Sequence, residues 1–264
     1  MSAGNLLLAV PAWRQTLMAA GLDAAAVFER PDIHVWRKLR DRENCTLDLS
    51  LEGGRTARLH LKRYARVRTP LTPADFEAQG IRLLTQHQIP TAPLVAWGRM
   101  ADGRSFIIIE DLDQFQAADK LLAAGVPFER LLKPTADLAA RLHHEGLHHR
   151  DLYLCHFFAK VDASVDLRLI DAARVRQLPR WLRRRWIVKD LAQFWYSTLN
   201  LKITEAQRSQ WLEHYARQRG DSTLVGQLRS RIERKAAWIA RHDKALRRRQ
   251  PGRNISIPTN DRPH

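Results

Sequence analysis

The sequence predicts an α+β protein in which a small β-rich region precedes a larger, mostly helical one. Three observations carry this prediction. Residues 46–51 alternate apolar and polar side chains strictly; after a turn signal at Glu52-Gly-Gly-Arg55, residues 56–64 resume the pattern with Leu59 and Leu61 on one face. That is the signature of a hairpin with one side against a core. A helix start follows at Thr72-Pro-Ala-Asp75, where Thr72 caps, Pro73 takes the first helical position and Asp75 closes the capping box. Beyond about residue 113 the apolar spacing becomes helical, and Phe128, Leu131, Leu132, Leu138 and Leu142 form one stripe ending near Gly146.

The remaining elements fill in around these. Residues 5–28 carry apolar positions at roughly helical spacing with a break at Gly21, and residues 34–39 read as a strand before the hairpin. The helix after Thr72 places Phe76, Gly80, Ile81 and Leu84 on one face and stops before Pro90 and Pro93. Residues 106–110 form an apolar run ending in an acid, as in a fully buried strand. Further on, Phe157-Phe158 and residues 167–170 read as short strands around a turn at 162–164. Thr204–Gln207 is a second capping box with a stop at Gly220, and a long helix runs from Ser222 through Leu224, Leu228, Ile232 and Ile239. The expected division is 1–112 for the β-rich part with an N-terminal helical segment, 113–250 for the helical part, and a frayed tail over 251–264.

Composition narrows the function classes. The 264 residues are 45% hydrophobic and 27% charged, suited to a globular protein with a full core. Lys and Arg number 44 against 28 Asp and Glu, a net charge of +16 spread along the chain. Such an excess implies an anionic partner: nucleic acid, an acidic membrane surface or a phosphorylated substrate. The longest apolar runs are too short to span a bilayer, and Arg14 interrupts the stretch from Leu6 to Met18, so no secretory signal is expected. Cys45 and Cys155 alone cannot build a disulfide framework, which makes a reduced cytosolic compartment the default.

The strongest local signal is His149-Arg-Asp-Leu-Tyr-Leu-Cys-His-Phe157, followed by Leu169-Ile170-Asp171 at a strand end. Two aspartates about twenty residues apart in this setting suit phosphoryl transfer. One accepts the proton of an attacking hydroxyl, and the other binds Mg²⁺ against the phosphates. Lys62, near the end of the second hairpin strand, would reach phosphate oxygens, and Glu77 on the following helix would pair with it. Plainer readings exist for each: a loop acid, a strand-end acid, a solvated edge lysine and a surface glutamate. The histidines at 143, 144, 148 and 149 match no standard zinc spacing.

Taken in order, these parts resemble the protein-kinase-like fold. The pattern at 149–157, with Ile170-Asp171 and Lys189-Asp190-Leu191-Ala192, resembles the bacterial lipopolysaccharide core heptose kinases of the WaaP type. The resemblance implies a two-lobed kinase fold with a β-rich N-lobe and a helical C-lobe, and ATP- and Mg²⁺-dependent phosphorylation of an inner-core heptose hydroxyl. It also implies a cytoplasmic protein held peripherally at the inner face of the inner membrane. Carried over by residue, Asp151 is the catalytic base, Asp171 the metal ligand, Lys62 the nucleotide-orienting cation and Glu77 its partner. The backbone from Glu110 to Leu112 lies beside the adenine, and Asp190 braces the catalytic loop from a buried helix. No glycine-rich phosphate loop is present; the turn at 40–44, ending in Asn44, stands in its place. His156 falls where a second metal ligand would be, although imidazole is a poor Mg²⁺ donor.

Between residues 174 and 189 there is no acid, and Arg174, Arg176, Arg180, Arg183, Arg184, Arg185 and Lys189 are interleaved with Trp181 and Trp186. Guanidinium groups bind phosphates bidentately, and tryptophan suits sugar faces and membrane interfaces. Arg150, Arg174, Arg176, Arg183, Arg184 and Trp181 are therefore the candidate contacts to an anionic glycolipid, the lipopolysaccharide core. The anionic membrane surface is a second partner, and an acidic protein a third that the charge would welcome. Two alternatives stand beside this reading: another sugar, small-molecule or protein kinase of the same fold, and a basic nucleic-acid-binding module. The latter leaves the order of Lys62, Asp151 and Asp171 unexplained, so no specific nucleic acid is expected.

Overall fold

The computed structural model describes residues 4–220 and 224–249. The fold is mixed α+β and comprises two compact units: described residues 4–85, 92–113 and 171–174 in one, and 86–91, 114–170, 175–220 and 224–249 in the other.

The first unit is built on an antiparallel six-stranded sheet. In chain order it contains β1 (Leu6–Ala9), α1 (Pro11–Ala19), α2 (Ala26–Glu29), β2 (His34–Lys38), β3 (Arg42–Ser50), β4 (Thr56–Tyr64), α3 (Pro73–Gln86), β5 (Leu94–Arg99) and β6 (Ser105–Glu110), with strand order β1-β5-β6-β4-β3-β2. Strand alternation sends Cys45, Leu47 and Leu49 of β3, Leu59 and Leu61 of β4, and Phe106 and Ile108 of β6 into one core, closed by Leu17, Leu22 and Val27 from α1, α2 and the segment between them. The hairpin turn closes with the Leu51 N–H donating to the Arg55 carbonyl at 2.7 Å, and Gly53 and Gly54 supply its positive φ angles.

Two expectations need correction. Residues 6–9 are not helical: they form an edge strand paired with β5, and Pro11 opens α1 at a position where its missing N–H costs nothing. The turn expected over residues 40–44 is confined to Arg40 and Asp41, with the Leu39 N–H donating to the Arg42 carbonyl at 2.8 Å. Asn44 is a strand residue of β3 paired with Lys62 rather than a loop donor.

The second unit contains β7 (Gln116–Ala117), α4 (Ala118–Ala123), α5 (Phe128–His144), β8 (Leu147–His148), β9 (Phe157–Val161), β10 (Val165–Leu169), β11 (Arg176–Gln177), α6 (Arg180–Thr198), α7 (Glu205–Gln218) and α8 (Leu224–Arg249). Its small sheets are ordered β10-β9-β7 and β11-β8. From Asp190 to Thr198 every residue of α6 is buried. An aromatic column fixes that stretch: Phe194 stacks on Trp211 at 3.9 Å, Trp211 lies 5.9 Å from Tyr215, and Phe157 meets Phe194 edge-on at 5.7 Å. The Thr204 capping box forms as predicted, with both the Thr204 and Gln207 side chains engaged. Ser222, the expected start of α8, and the expected tail at 251–264 lie outside the described residues. Among the described residues, no helix is long and apolar enough to cross a membrane.

Candidate active site

In the first unit the site is assembled by strand parity. Because Leu59 and Leu61 face the core, His60 and Lys62 face the other way, and pairing sets Lys62 between Asn44 of β3 and Ile107 of β6. The Lys62 ammonium donates to Glu77 Oε1 at 2.6 Å and to Asp171 Oδ1 at 3.2 Å. Glu77 is no surface residue: its side chain is 2% exposed, and its other oxygen accepts the Tyr64 hydroxyl. Burial alone would lower the Lys62 pKa, but Asp171 and Glu77 outweigh it and hold it raised. Burial, then Glu77, pushes the Tyr64 phenol well up, so it remains a donor. Burial, with Lys62 adding, depresses His60 to about 4.

Asp171 has a left-handed backbone (φ 60°), a conformation that Asp tolerates better than most residues. The segment behind it is pressed against α3 at Gly80, where a Cβ would stand 1.9 Å from the Ala172 carbonyl oxygen. Only glycine permits that approach.

In the second unit, α6 holds residues 149–154 from one face. Asp190 accepts the backbone N–H of Arg150 at 2.8 Å on Oδ1 and that of His149 at 2.9 Å on Oδ2. Gln193 Oε1 accepts the Leu152 N–H at 3.1 Å, and Ser197 Oγ accepts the Leu154 N–H at 3.1 Å. With its oxygen so committed, Gln193 turns Nε2 toward Asp151 and donates to Oδ1 at 3.1 Å. The Asp151 carbonyl accepts His156 Nδ1–H at 2.6 Å, and the Ile170 carbonyl accepts His149 Nε2–H at 3.1 Å, which fixes both tautomers. Arg150 is left-handed (φ 64°) and its guanidinium lies 4.3 Å over the Trp186 ring.

His143, His148 and Asp190 bring one ligand atom each within 4.8 Å of one another. The hydrogen bonds explain this grouping without an ion. His143 Nε2–H donates to Asp190 Oδ2 at 3.2 Å, its Nδ1 accepts from Tyr215 at 2.8 Å, and both Asp190 oxygens already hold loop amides. His148 is fully buried and, among the described residues, has no hydrogen-bond partner at either ring nitrogen; burial, then the neighbouring His143, depresses it to about 3.

The other predicted site residues are distributed as follows. Glu110 ends β6 and its carboxylate accepts Trp13 Nε1–H at 2.9 Å. The N–H groups of Glu110 and Asp111 are spent on the Pro93 and Arg58 carbonyls, at 2.9 and 3.0 Å, and Leu112 follows them. Arg174 belongs to the first unit, whereas Arg176, Trp181, Arg183 and Arg184 belong to the second. Arg183 Nε donates to the Leu178 carbonyl at 3.1 Å and its guanidinium abuts Gly146, while Arg184 donates to Gln227 at 3.0 Å. Trp181 is 79% exposed. Sequence reading missed Tyr64, Gln193 and Ser197; the last two lie three and seven residues beyond Asp190, on its helix face.

A magnesium–nucleotide complex requires oxygen donors for the metal and cations for the phosphates. The Asp171 carboxylate, 28% exposed and next to Lys62, fits both requirements. His156, with Nδ1 committed to the loop, would offer only an imidazole nitrogen, a poor fit to a hard cation.

Residues 30–215 match the lipopolysaccharide kinase (Kdo/WaaP) family, and the chain belongs to that family. It is therefore a phosphotransferase, and membership of a kinase family implies ATP as donor. Among individual proteins it is similar to the lipopolysaccharide core heptose(I) kinase WaaP of Escherichia coli (strain K12), 28% identical over 214 residues that cover 72% of this chain and 80% of the relative. It is likewise similar to the protein of the same name from Pseudomonas aeruginosa (strain PAO1), 29% identical over 222 residues covering 75% and 82%.

Proposed function

We propose that this protein transfers the γ-phosphate of ATP to a heptose hydroxyl of the lipopolysaccharide inner core, working at the cytoplasmic face of the inner membrane with a two-lobed, protein-kinase-like fold divided near residue 112. The observation that carries the reading is the Lys62 ammonium held jointly by Glu77 and Asp171. A cation fixed this way is poised for phosphate oxygens, and the similarity to two core heptose kinases supports the choice of acceptor.

In this reading Asp151 orients the acceptor hydroxyl and takes its proton as the oxygen attacks phosphorus, and Gln193 holds the carboxylate. Lys62 orients the phosphates, with Asn44 beside it in the sheet, and the backbone from Glu110 to Leu112 flanks the adenine. Asp171 would hold Mg²⁺, with His156 a weaker second ligand. The metal, when bound, supplies neutralisation of phosphate charge. Arg150, Arg174, Arg176, Arg183, Arg184 and Trp181 would receive the anionic glycolipid, and an acidic protein is compatible with the same charge. Because the protein does little covalent chemistry, positioning and electrostatics supply most of the rate.

The test is incubation with labelled ATP and dephosphorylated core oligosaccharide beside a generic protein substrate. Label should enter the oligosaccharide, one phosphate by mass, and Asp151→Ala should abolish it while folding normally. Label confined to the protein substrate would refute the acceptor assignment, and full activity in Asp151→Ala would refute the base.

A further inference from the structure

Helix α8 carries nine Lys and Arg but two acids over its 26 residues. The acids lie off its outer face: Glu233 pairs with Arg229 at 2.9 Å, and Asp243 turns toward Tyr196 of α6. The inner face buries Leu228, Ile232, Ala236 and Ile239. Opposite them, Arg231, Arg234, Trp238, Arg241 and Arg248 are all exposed and follow at steps of three, four, three and seven residues, one stripe about 26 Å long. Trp238 is 48% exposed in the middle of it. The start of α6 adds to this surface, because Arg184 bonds Gln227 of α8 and Arg185 lowers the Lys235 pKa by proximity, after burial.

An exposed tryptophan within a guanidinium stripe has few partners that suit both groups. Nucleic acid suits the charge, but base stacking needs an open ring face. Here the Lys235 ammonium sits 3.5 Å over the Trp238 ring and the His242 imidazole stacks on it at 5.2 Å, one from each neighbouring turn. What remains outward is an indole edge, the part that seats among lipid headgroups while arginines reach phosphates on either side. We propose that the Arg231–Arg234–Trp238–Arg241–Arg248 stripe of α8 is a docking surface for the anionic phospholipid headgroups of a membrane. It extends the proposed function by assigning membrane contact to a helix outside the phosphotransfer machinery.

The experiment is flotation of the full chain, without ATP, on phosphatidylcholine vesicles and on vesicles containing about one third phosphatidylglycerol. Binding is expected only to the anionic vesicles at about 0.1 M salt and should be largely lost at about 0.5 M. The triple variant R234E/R241E/R248E should bind at least about tenfold more weakly. The charge-matched control R14E/R55E/R68E, at exposed sites in the other unit, should stay within about twofold. Brominated lipid should quench the wild type more than Trp238→Phe. Equal losses in the two triple variants would overturn the proposal by reducing the effect to net charge. Absence of anionic-vesicle binding, or preferential binding of RNA at matched salt, would overturn it as well. Phosphorylation of a soluble, lipid-free acceptor should be unchanged in the α8 variant, so a failure of the kinase reading registers there and not in flotation.

Discussion

Gln193 donates its side-chain amide to the Asp151 carboxylate at 3.1 Å while its oxygen accepts the Leu152 N–H at the same distance. The amide thus aims the carboxylate. Gln193→Glu replaces that donor with a second carboxylate and should move the acid limb of the kcat profile to higher pH, lowering kcat by about 10- to 100-fold. Gln193→Met removes the donor without adding a charge and should lower kcat less than Gln193→Glu. A pH profile that does not move in Gln193→Glu, with kcat unchanged in Gln193→Met, would show that Gln193 serves only the loop.

Lys62 depends on two carboxylates, and the proposed roles predict different consequences for losing each. Lys62→Met and Asp171→Asn should each reduce kcat by roughly 10²- to 10³-fold or more, the scale of removing one electrostatic contact to developing charge. Glu77→Gln keeps the shape but removes the charge that fixes the ammonium, so it should raise KM for ATP more than it lowers kcat. Steady-state kinetics on folded variants check all three.

Gly80→Ala sets two effects against each other. Alanine favours a helix interior by about 1 kcal/mol. At Gly80, however, the added carbon would meet a backbone oxygen at 1.9 Å, and backbone cannot step aside as a side chain does. The clash should win. We expect a net loss of stability of about 1–3 kcal/mol in urea denaturation, together with reduced turnover as the Asp171–Arg174 segment is displaced.

His148 makes acid stability a readout of one buried ring. Above pH 6.5 the imidazole is neutral in both folded and unfolded chains. Below it the unfolded chain binds a proton that the folded chain refuses down to about pH 3, so stability falls through that window. The slope contributed approaches about 1.4 kcal/mol per pH unit. His148→Leu should flatten the urea midpoint between pH 6 and 4 by about one proton's worth. An unchanged slope would mean that other groups carry the acid sensitivity.

Much of the β-rich unit was legible because a sheet with one face on a core writes its parity into the chain. The boundaries of β4 and the inward set Leu59 and Leu61 follow from alternation, and alternation in turn puts Lys62 on the outer face. Thr72 and Thr204 were legible because capping is local chemistry. Leu6–Ala9 was not: four apolar residues suit a helix equally well, and only pairing with β5 decides for a strand. β5 was missed because Pro93 precedes it and its own alternation is weak. Lys62, Glu77 and Asp171 could be chosen from order and chemistry, and the fold brings all three together. Gln193 and Tyr64 left no such trace, since an amide or a phenol acquires its role only from what faces it.

Asp190, Gln193 and Ser197 follow one another at intervals of three and four along α6, and their side chains take the amides of residues 149, 150, 152 and 154 in the same sequence. The helical repeat thereby acts as a ruler for an irregular stretch of chain. That register fixes the length of the stretch: one inserted or deleted residue would throw every later amide off its mark, Asp151 with it.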